Sequence, residues 1–595
     1  MQWLRRYDLA EAFHEVDADK QFIDLASQVV AARPVAENIY ALAELAFLAG
    51  KRSEHSHDFA TAFDMYGIAV ANAYLYLVDE QFDQRRNPYD PMFRQACDLY
   101  NGSLEAALRL AQMDGPITPG TSRSIETESQ SIQLNVISRG SWRPGQIERI
   151  EFASDYDAHG LTNQTRRYGL GVPLIAVYRK ESKQPEDQFY APGMSVAATA
   201  FLRVVPAQSS GPGKKAYHQC VLELHDPLVT TDVLIDDGRL VPLEIDLSTP
   251  LAYSLNDPMF QRTDIGTRGL LDPRGSQSVQ GVYLLEPYDP RKVPVLMVHG
   301  LWSSLNTWME MFNDLRADTE IRDNYQFWFY LYPTGQPFWT TAAQLRQDLK
   351  HTRDVLDPHR QAIAIDEMVL VGHSMGGLVS RMQTLDSQQD FWNLISDKPF
   401  SDLRVSRDLR EQLRETWFFE ANPSVRRVVT IATPHRGSEF SNGTTQWLAR
   451  NLIRIPETLA NNTQRLFSED AELRSSRLLT INNSVESLSP SSPVFPVILG
   501  AKKPRSVRYH NIVGVLPDDK VLGRVAGKVA GRGDGVVTYD SAHVDDASSE
   551  EVVPEDHVQI HRHPRAILEV QRILLEHLGE LRAEYTARAE QSVSR

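Results

Sequence analysis

Hydrophobic and polar positions change rhythm along the chain, and each change predicts a different kind of element. Up to about residue 115, apolar and small residues recur at helical spacing. Residues 36–49 read Ala-Glu-Asn-Ile-Tyr-Ala-Leu-Ala-Glu-Leu-Ala-Phe-Leu-Ala, rich in helix formers, with Gly50 as a stop. Residues 59–78 make a second such stretch, so 1–115 is expected to be an α-helical region. The polar, breaker-rich segment 114–122 reads as a linker. From about 125 to 265 the period falls to two. Ser131-Ile132-Gln133-Leu134-Asn135-Val136 alternates, and 233–235 with 240–245 reads as a hairpin closed at Asp237-Gly238. This region predicts a β-rich accessory domain, a small sandwich.

From about 280 onward short apolar runs alternate with helical patterns. Candidate strands are 282–286, 295–298, 327–332, 368–371, 427–431 and 509–515. Several are continuously apolar, as strands buried on both faces are. Between them Ala342, Leu345, Leu349 and Leu356 fall at helical spacing. Ile567, Val570, Leu574, Leu578 and Leu581 do the same near the end. Strand alternating with helix implies a mostly parallel sheet covered on both sides, so the fold class is α/β with 280–595 as the catalytic domain.

Composition narrows the partners. At 595 residues the chain exceeds one hydrophobic core, and two to four domains are expected. A net charge of −16 without a dense Lys/Arg block speaks against nucleic acid and gives no help toward anionic membranes. Cys97 and Cys220 fit neither a zinc site nor a disulfide framework and read as buried thiols. No run of about 18 apolar residues marks a transmembrane segment. The N-terminus shows no apolar signal core, which makes a cytoplasmic location the default. A cell-envelope or secreted location is the alternative, should an upstream leader be missing. Oligomeric state is not legible.

The chemistry concentrates at 369–378, Val-Leu-Val-Gly-His-Ser-Met-Gly-Gly-Leu. An apolar run ends in G-x-S-x-G and a helical pattern follows, the context in which Ser374 becomes a nucleophile. A side chain at Gly372 or Gly376 would crowd the turn that lifts Ser374 above the sheet edge. The bland alternative is a helix N-cap. Serine needs a base, and the base needs a group to fix its tautomer. With the order Ser, acid, His, the partners are sought downstream. Asp534 lies between two glycines in Gly533-Asp534-Gly535-Val536-Val537, and His557 lies just before the terminal helix. Rivals are Asp518, Asp519 and Asp540 for the acid and His543, His561 and His563 for the base. Asp534 could also be a plain turn residue. An oxyanion hole needs two backbone N–H groups. Met375 supplies one, and Leu301, in the turn Val298-His299-Gly300-Leu301-Trp302, supplies the other. His299, His373 and His435 read as loop organisers. Trp302, Trp308, Phe338 and Trp339 line an acyl pocket or belong to the core.

Four motifs in order carry a resemblance: 298–301, 372–377, Thr433-Pro434-His435-Arg436-Gly437-Ser438 and 533–537. They resemble the α/β-hydrolase superfamily over roughly 280–580, most of all bacterial lipases and carboxylesterases and the related inositol deacylases. The resemblance implies Ser374, Asp534 and His557 as a triad, an ester or lipid substrate, and no cofactor or metal. Some lipases of this kind brace the acid and base loops with calcium; nothing here demands it. The N-terminal half looks like the accessory region of large bacterial esterases, in which a lipoprotein leader often precedes the helices. No lipobox cysteine is present. The long connection 438–500 is expected to form a lid or cap, or else a packed helical excursion. The motifs fix the nucleophile rather than the acceptor. A phospholipase, amidase or acyltransferase on the same residues therefore stays open, as does an interaction protein with a vestigial hydrolase domain.

Overall fold

The computed structural model describes residues 19–593 except 83–86, 127–129, 141, 144, 180–183, 192, 205–215, 236–237, 257–279, 302, 304, 439–475, 477, 482 and 518–532. The chain divides into two compact units. One comprises 1–160, 164–182 and 193–254; the other comprises 161–163, 183–192 and 255–595.

The first unit holds helices α1 (Asp19–Ala32), α2 (Ala36–His55), α3 (Phe59–Val78) and α4 (Pro91–Met113). Asp58 caps α3 by accepting from the Thr61 N–H at 3.1 Å, and Asp90 caps α4 ahead of Pro91. The expected stop at Gly50 is corrected: α2 runs through it to His55. Gly50 is a contact residue instead. A Cβ there would lie 2.7 Å from the ring of Tyr66 on α3, whose hydroxyl donates to Glu54 at 2.5 Å. In the same unit lies a six-stranded sheet of β1 (Ser122–Glu126), β2 (Gln130–Arg139), β3 (Ile147–Phe152), β4 (Val172–Tyr178), β5 (Ser195–Val204) and β6 (Ala216–His225). Its order is β1-β2-β6-β5-β4-β3, antiparallel except for β2 against β6. The expected sandwich is also corrected, because helices cover this sheet. The Tyr100 hydroxyl of α4 donates to the Leu202 carbonyl (2.8 Å) and accepts from its N–H (2.9 Å). The rings of Tyr74, Tyr100 and Phe201 cluster beside it. The hairpin at 232–242 forms as expected, Asp232–Leu234 pairing antiparallel with Leu240–Pro242.

The second unit is built on seven strands: β7 (Gly281–Leu284), β8 (Val293–Val298), β9 (Tyr325–Leu331), β10 (Met368–His373), β11 (Val425–Ile431), β12 (Arg508–Gly514) and β13 (Ser549–Val553). Their order is β7-β9-β8-β10-β11-β12-β13. Only β7 runs antiparallel to its neighbour. Every residue of β8, β9 and β10 is buried, which explains the apolar runs within them. Helices α5 (Phe338–Leu356), α6 (Met375–Arg381) and α7 (Pro564–Val593) accompany the sheet. The hydrophobic pattern does not predict strand β13, since Ser-Glu-Glu-Val-Val carries little apolar signal at a sheet edge. The described parts of 438–500 include the short helices Ser484–Ser487 and Val494–Gly500, with Leu488, Val494, Phe495 and Ile498 in the main core. Most of the expected lid lies outside the described residues.

Candidate active site

The parallel strands deliver the candidate residues at their carboxyl ends, where open α/β sheets bind ligands. The turn His299-Gly300-Leu301 follows β8, Ser374 follows β10, Asp534 comes after β12 and His557 comes after β13. Ser374 opens α6 at φ 54°, ψ −123°, a backbone conformation that costs a non-glycine residue free energy and persists only when its surroundings enforce it. Here the Ser374 N–H donates to the Ile431 carbonyl at 2.9 Å, and its carbonyl accepts from Gly377 N–H at 3.0 Å. The two elbow glycines leave no room for a side chain. A Cβ on Gly372 would lie 2.5 Å from the Gly376 carbonyl oxygen, and one on Gly376 would collide with the Val298 and His299 carbonyls.

Three side chains far apart in sequence meet at this elbow. The Ser374 hydroxyl lies 2.9 Å from His557 Nε2, and His557 Nδ1 lies 2.7 Å from Asp534 Oδ2. The carboxylate can only accept, so Nδ1 carries the proton and Nε2 is left to accept from the serine. Asp534 Oδ1 accepts from the Val536 and Val537 N–H groups at 2.9 and 2.7 Å, and the Asp534 carbonyl accepts from the His557 N–H at 3.1 Å. Asp534, Ser374 and His557 are all buried. Outside the helices and strands, no backbone hydrogen bond from the Leu301 or Met375 N–H occurs among the described residues.

Two of the rival histidines are engaged elsewhere. His543 pairs with Glu550 at 2.9 Å and Asp545 at 3.1 Å, and His563 accepts from the Arg565 N–H at the start of α7. Asp540 is exposed on a short helix, and Asp518 and Asp519 lie outside the described residues. His561 is buried behind the site, its ring 5.1 Å from that of His373 and 6.1 Å from Trp308.

Other residues support the site rather than enter it. His373 Nε2–H donates to the His557 carbonyl at 2.9 Å. Burial, with His557 and His561 close by, holds the His373 imidazole well below its ordinary range. Burial also pushes His561 down to about 3 and His299 to about 4. These rings are neutral near pH 7, so none of them opposes a positive charge formed on His557. His299 stacks on Tyr332 at 4.3 Å, and the Tyr332 hydroxyl donates to the His299 carbonyl at 2.5 Å. Ser438 Oγ donates to the Val536 carbonyl at 2.6 Å, and Ser541 Oγ to Gly437 at 2.5 Å. The 433–438 loop thus braces the acid loop. No single-residue signal in the sequence marks Ser438 or Tyr332 for these roles. Trp308, Phe338 and Trp339 are core side chains, and Trp302 lies outside the described residues. Among the described residues no group of three or more His, Cys, Asp or Glu is placed to hold a metal ion. No described helix is long and apolar enough to cross a membrane.

Residues 289–396 match the family described as PGAP1-like alpha/beta domain. That match includes β8, β9, β10 and Ser374 and ends before Asp534 and His557. No curated protein matches the chain. Among solved structures, the chain is similar to a lipase from Bacillus licheniformis, at 20% identity over 49% of this chain and 97% of that one, TM-score 0.30. It is also similar to esterase B from Lactobacillus rhamnosis, at 17% identity over 52% and 82%, TM-score 0.26. A third likeness is to an esterase from Thermogutta terrifontis, at 12% identity over 50% and 89%, TM-score 0.23.

Proposed function

We propose, for a chain whose C-terminal unit has the α/β-hydrolase fold, that it is a serine hydrolase cleaving carboxylic esters through an acyl-enzyme. The observation that carries this reading is the unbroken relay from Ser374 Oγ through His557 to Asp534, at 2.9 and 2.7 Å, mounted on a strained elbow.

Ser374 Oγ attacks the ester carbonyl carbon while His557 Nε2 takes the hydroxyl proton. The tetrahedral oxyanion rests on the Leu301 and Met375 N–H groups, and Asp534 stabilises the imidazolium. As the tetrahedral intermediate collapses, the C–O bond to the alcohol breaks and His557 returns its proton to the leaving oxygen. A water molecule, deprotonated by the same Nε2, then attacks the acyl-enzyme. Its collapse releases the carboxylic acid and restores Ser374 Oγ–H. The relay supplies everything these steps require, because acid, base and nucleophile are protein groups and no electrons change hands.

A labelled fluorophosphonate tests the assignment directly. Modification should map to the peptide bearing Ser374 and vanish in Ser374→Ala. The same variant should lose on the order of a million-fold in turnover of p-nitrophenyl esters. A folded wild-type chain that neither takes the label nor turns over any member of an acyl-length series would end this reading.

A further inference from the structure

The N-terminal unit carries a second feature that the proposed ester chemistry does not use. A cavity of about 500 Å³ lies between its helices and one face of its sheet. The floor comes from neighbouring strands: Ile125 pairs with Ile132, and Leu134 pairs with Cys220, which pairs in turn with Val204. Helices α1 to α4 supply the walls, including Val30, Ile39, Phe63 and Leu108. Among the described lining residues the polar side chains are Ser27, Asn72, Gln81 and the Cys220 thiol, and none belongs to Asp, Glu, Lys, Arg or His. Burial pushes that thiol up to about 11, so it too is uncharged near pH 7.

Protein interiors pack about as densely as organic crystals. An apolar void of roughly 150 Å³ already takes up benzene, and this one is about three times larger. It falls within the roughly 300–1,000 Å³ range of ligand sites. Gly67, in the cavity wall, bears on the same space. It sits in the middle of α3, where glycine weakens a helix, yet its φ is not positive and a Cβ there would meet nothing within 4 Å. Neither backbone conformation nor close packing requires glycine at this position. What its missing side chain does is keep the cavity wall recessed.

We infer that this cavity binds the aliphatic chain of a single-chain amphiphile, a fatty acid or a lysolipid, apart from the ester-cleaving site. The wall takes the chain by apolar contact, and with no charged side chain among the described lining residues the head group stays at the mouth, in water. The site belongs to the N-terminal unit alone, so its occupancy does not depend on Ser374.

The test uses the full chain carrying Ser374→Ala, which prevents turnover of any added lipid. Titration with cis-parinaric acid should show saturable, one-site fluorescence enhancement. Competition by oleate alone assigns the site to fatty acids; competition by lysophosphatidylcholine as well assigns it to the chain irrespective of head group. Gly67→Leu and Ala107→Phe each project a side chain into the cavity, and either should weaken parinarate binding at least tenfold. In the Ser374-intact background both should leave turnover of a short soluble ester unchanged. In a Cys97→Ser background, parinarate should slow alkylation of Cys220 several-fold. The inference is overturned by non-saturable binding, by affinities unchanged in both filled variants, or by Cys220 alkylation that parinarate does not slow.

Discussion

Asp534 uses its two carboxylate oxygens for different purposes, and this makes a sharp prediction at the scale of one residue. Oδ1 faces two backbone N–H groups, while Oδ2 faces His557 Nδ1. In Asp534→Asn one of these positions must become an NH₂. The two backbone donors hold the oxygen, so the amide nitrogen turns toward His557 and forces the proton onto Nε2, where it cannot accept from Ser374. Turnover should fall by about 10⁴, as the same exchange does in another Ser-His-Asp enzyme, with the fold intact by circular dichroism. Gly300→Ala probes the oxyanion turn. Its Cβ would lie 2.8 Å from Ser374 Cβ and 3.0 Å from His373 Nδ1. Displacing Ser374 or Leu301 to relieve that contact should lower kcat about a hundred-fold with little change in KM. Wild-type kcat in this variant would remove Leu301 from the oxyanion site. Much of this constellation is legible in sequence, since glycines flank Ser374 and Asp534 and the residues after β8 form a recognisable turn. The supporting contacts are not. Nothing about Ser438 or His561 in the sequence reports where folding carries them, because their partners lie on other elements.

At the scale of elements, two glycines within helices should respond oppositely to the same change. Gly50→Ala gains helix propensity but drives a Cβ to 2.7 Å from the wholly buried Tyr66 ring. Overpacking costs about 1–3 kcal/mol against a propensity gain of about 1 kcal/mol, so the variant should lose stability. Gly67→Ala faces open space and should gain about 0.5–1 kcal/mol. Denaturant unfolding of both variants checks the pair, and the same sign for both would show that local packing does not govern these helices. The contrast also explains what sequence reading can reach here. Gly50 after a helix-forming run looks like a stop, because a glycine that ends a helix and one that admits a neighbouring ring are identical in one dimension. Strand β13 escaped for a related reason. Its edge position, parallel to β12, lets it keep serine and glutamate where a central strand would be apolar. Buried strands such as β8 and β10 had no such freedom and were therefore plain.

At the scale of the whole molecule, the two units should part company in mild acid. The C-terminal unit buries several imidazoles that stay neutral. His510 is pushed down to about 4 by burial and by the Arg427 guanidinium, whose Nη1–H donates to its Nε2 at 2.8 Å. His299 and His561 lie at about 4 and about 3, and burial holds His373 and His435 well below their ordinary range. Each of these takes up a proton near pH 6.5 when unfolded but not when folded. The unfolded state therefore binds more protons, and stability falls as pH drops from 6.5 toward 4, by at most about 1.4 kcal/mol per pH unit for each histidine. The N-terminal unit carries the opposite kind of group. Burial alone would raise the Glu223 carboxyl, but hydrogen bonds from His225, Arg139 and Arg203 outweigh it and hold the group at about 2. Its stabilising contribution is complete above pH 4.5 and is lost only below that. Thermal unfolding followed by calorimetry should accordingly show one transition moving steeply down between pH 6.5 and 4.5 while the other holds. Fluorophosphonate-labelled chain should track the moving transition, since the label sits in the C-terminal unit. His510→Gln keeps an acceptor for Arg427 without a titrating ring, and should flatten the slope by close to one proton. Two transitions that fall in parallel, or a slope unchanged in that variant, would show that the buried imidazoles do not set the acid limit of this fold.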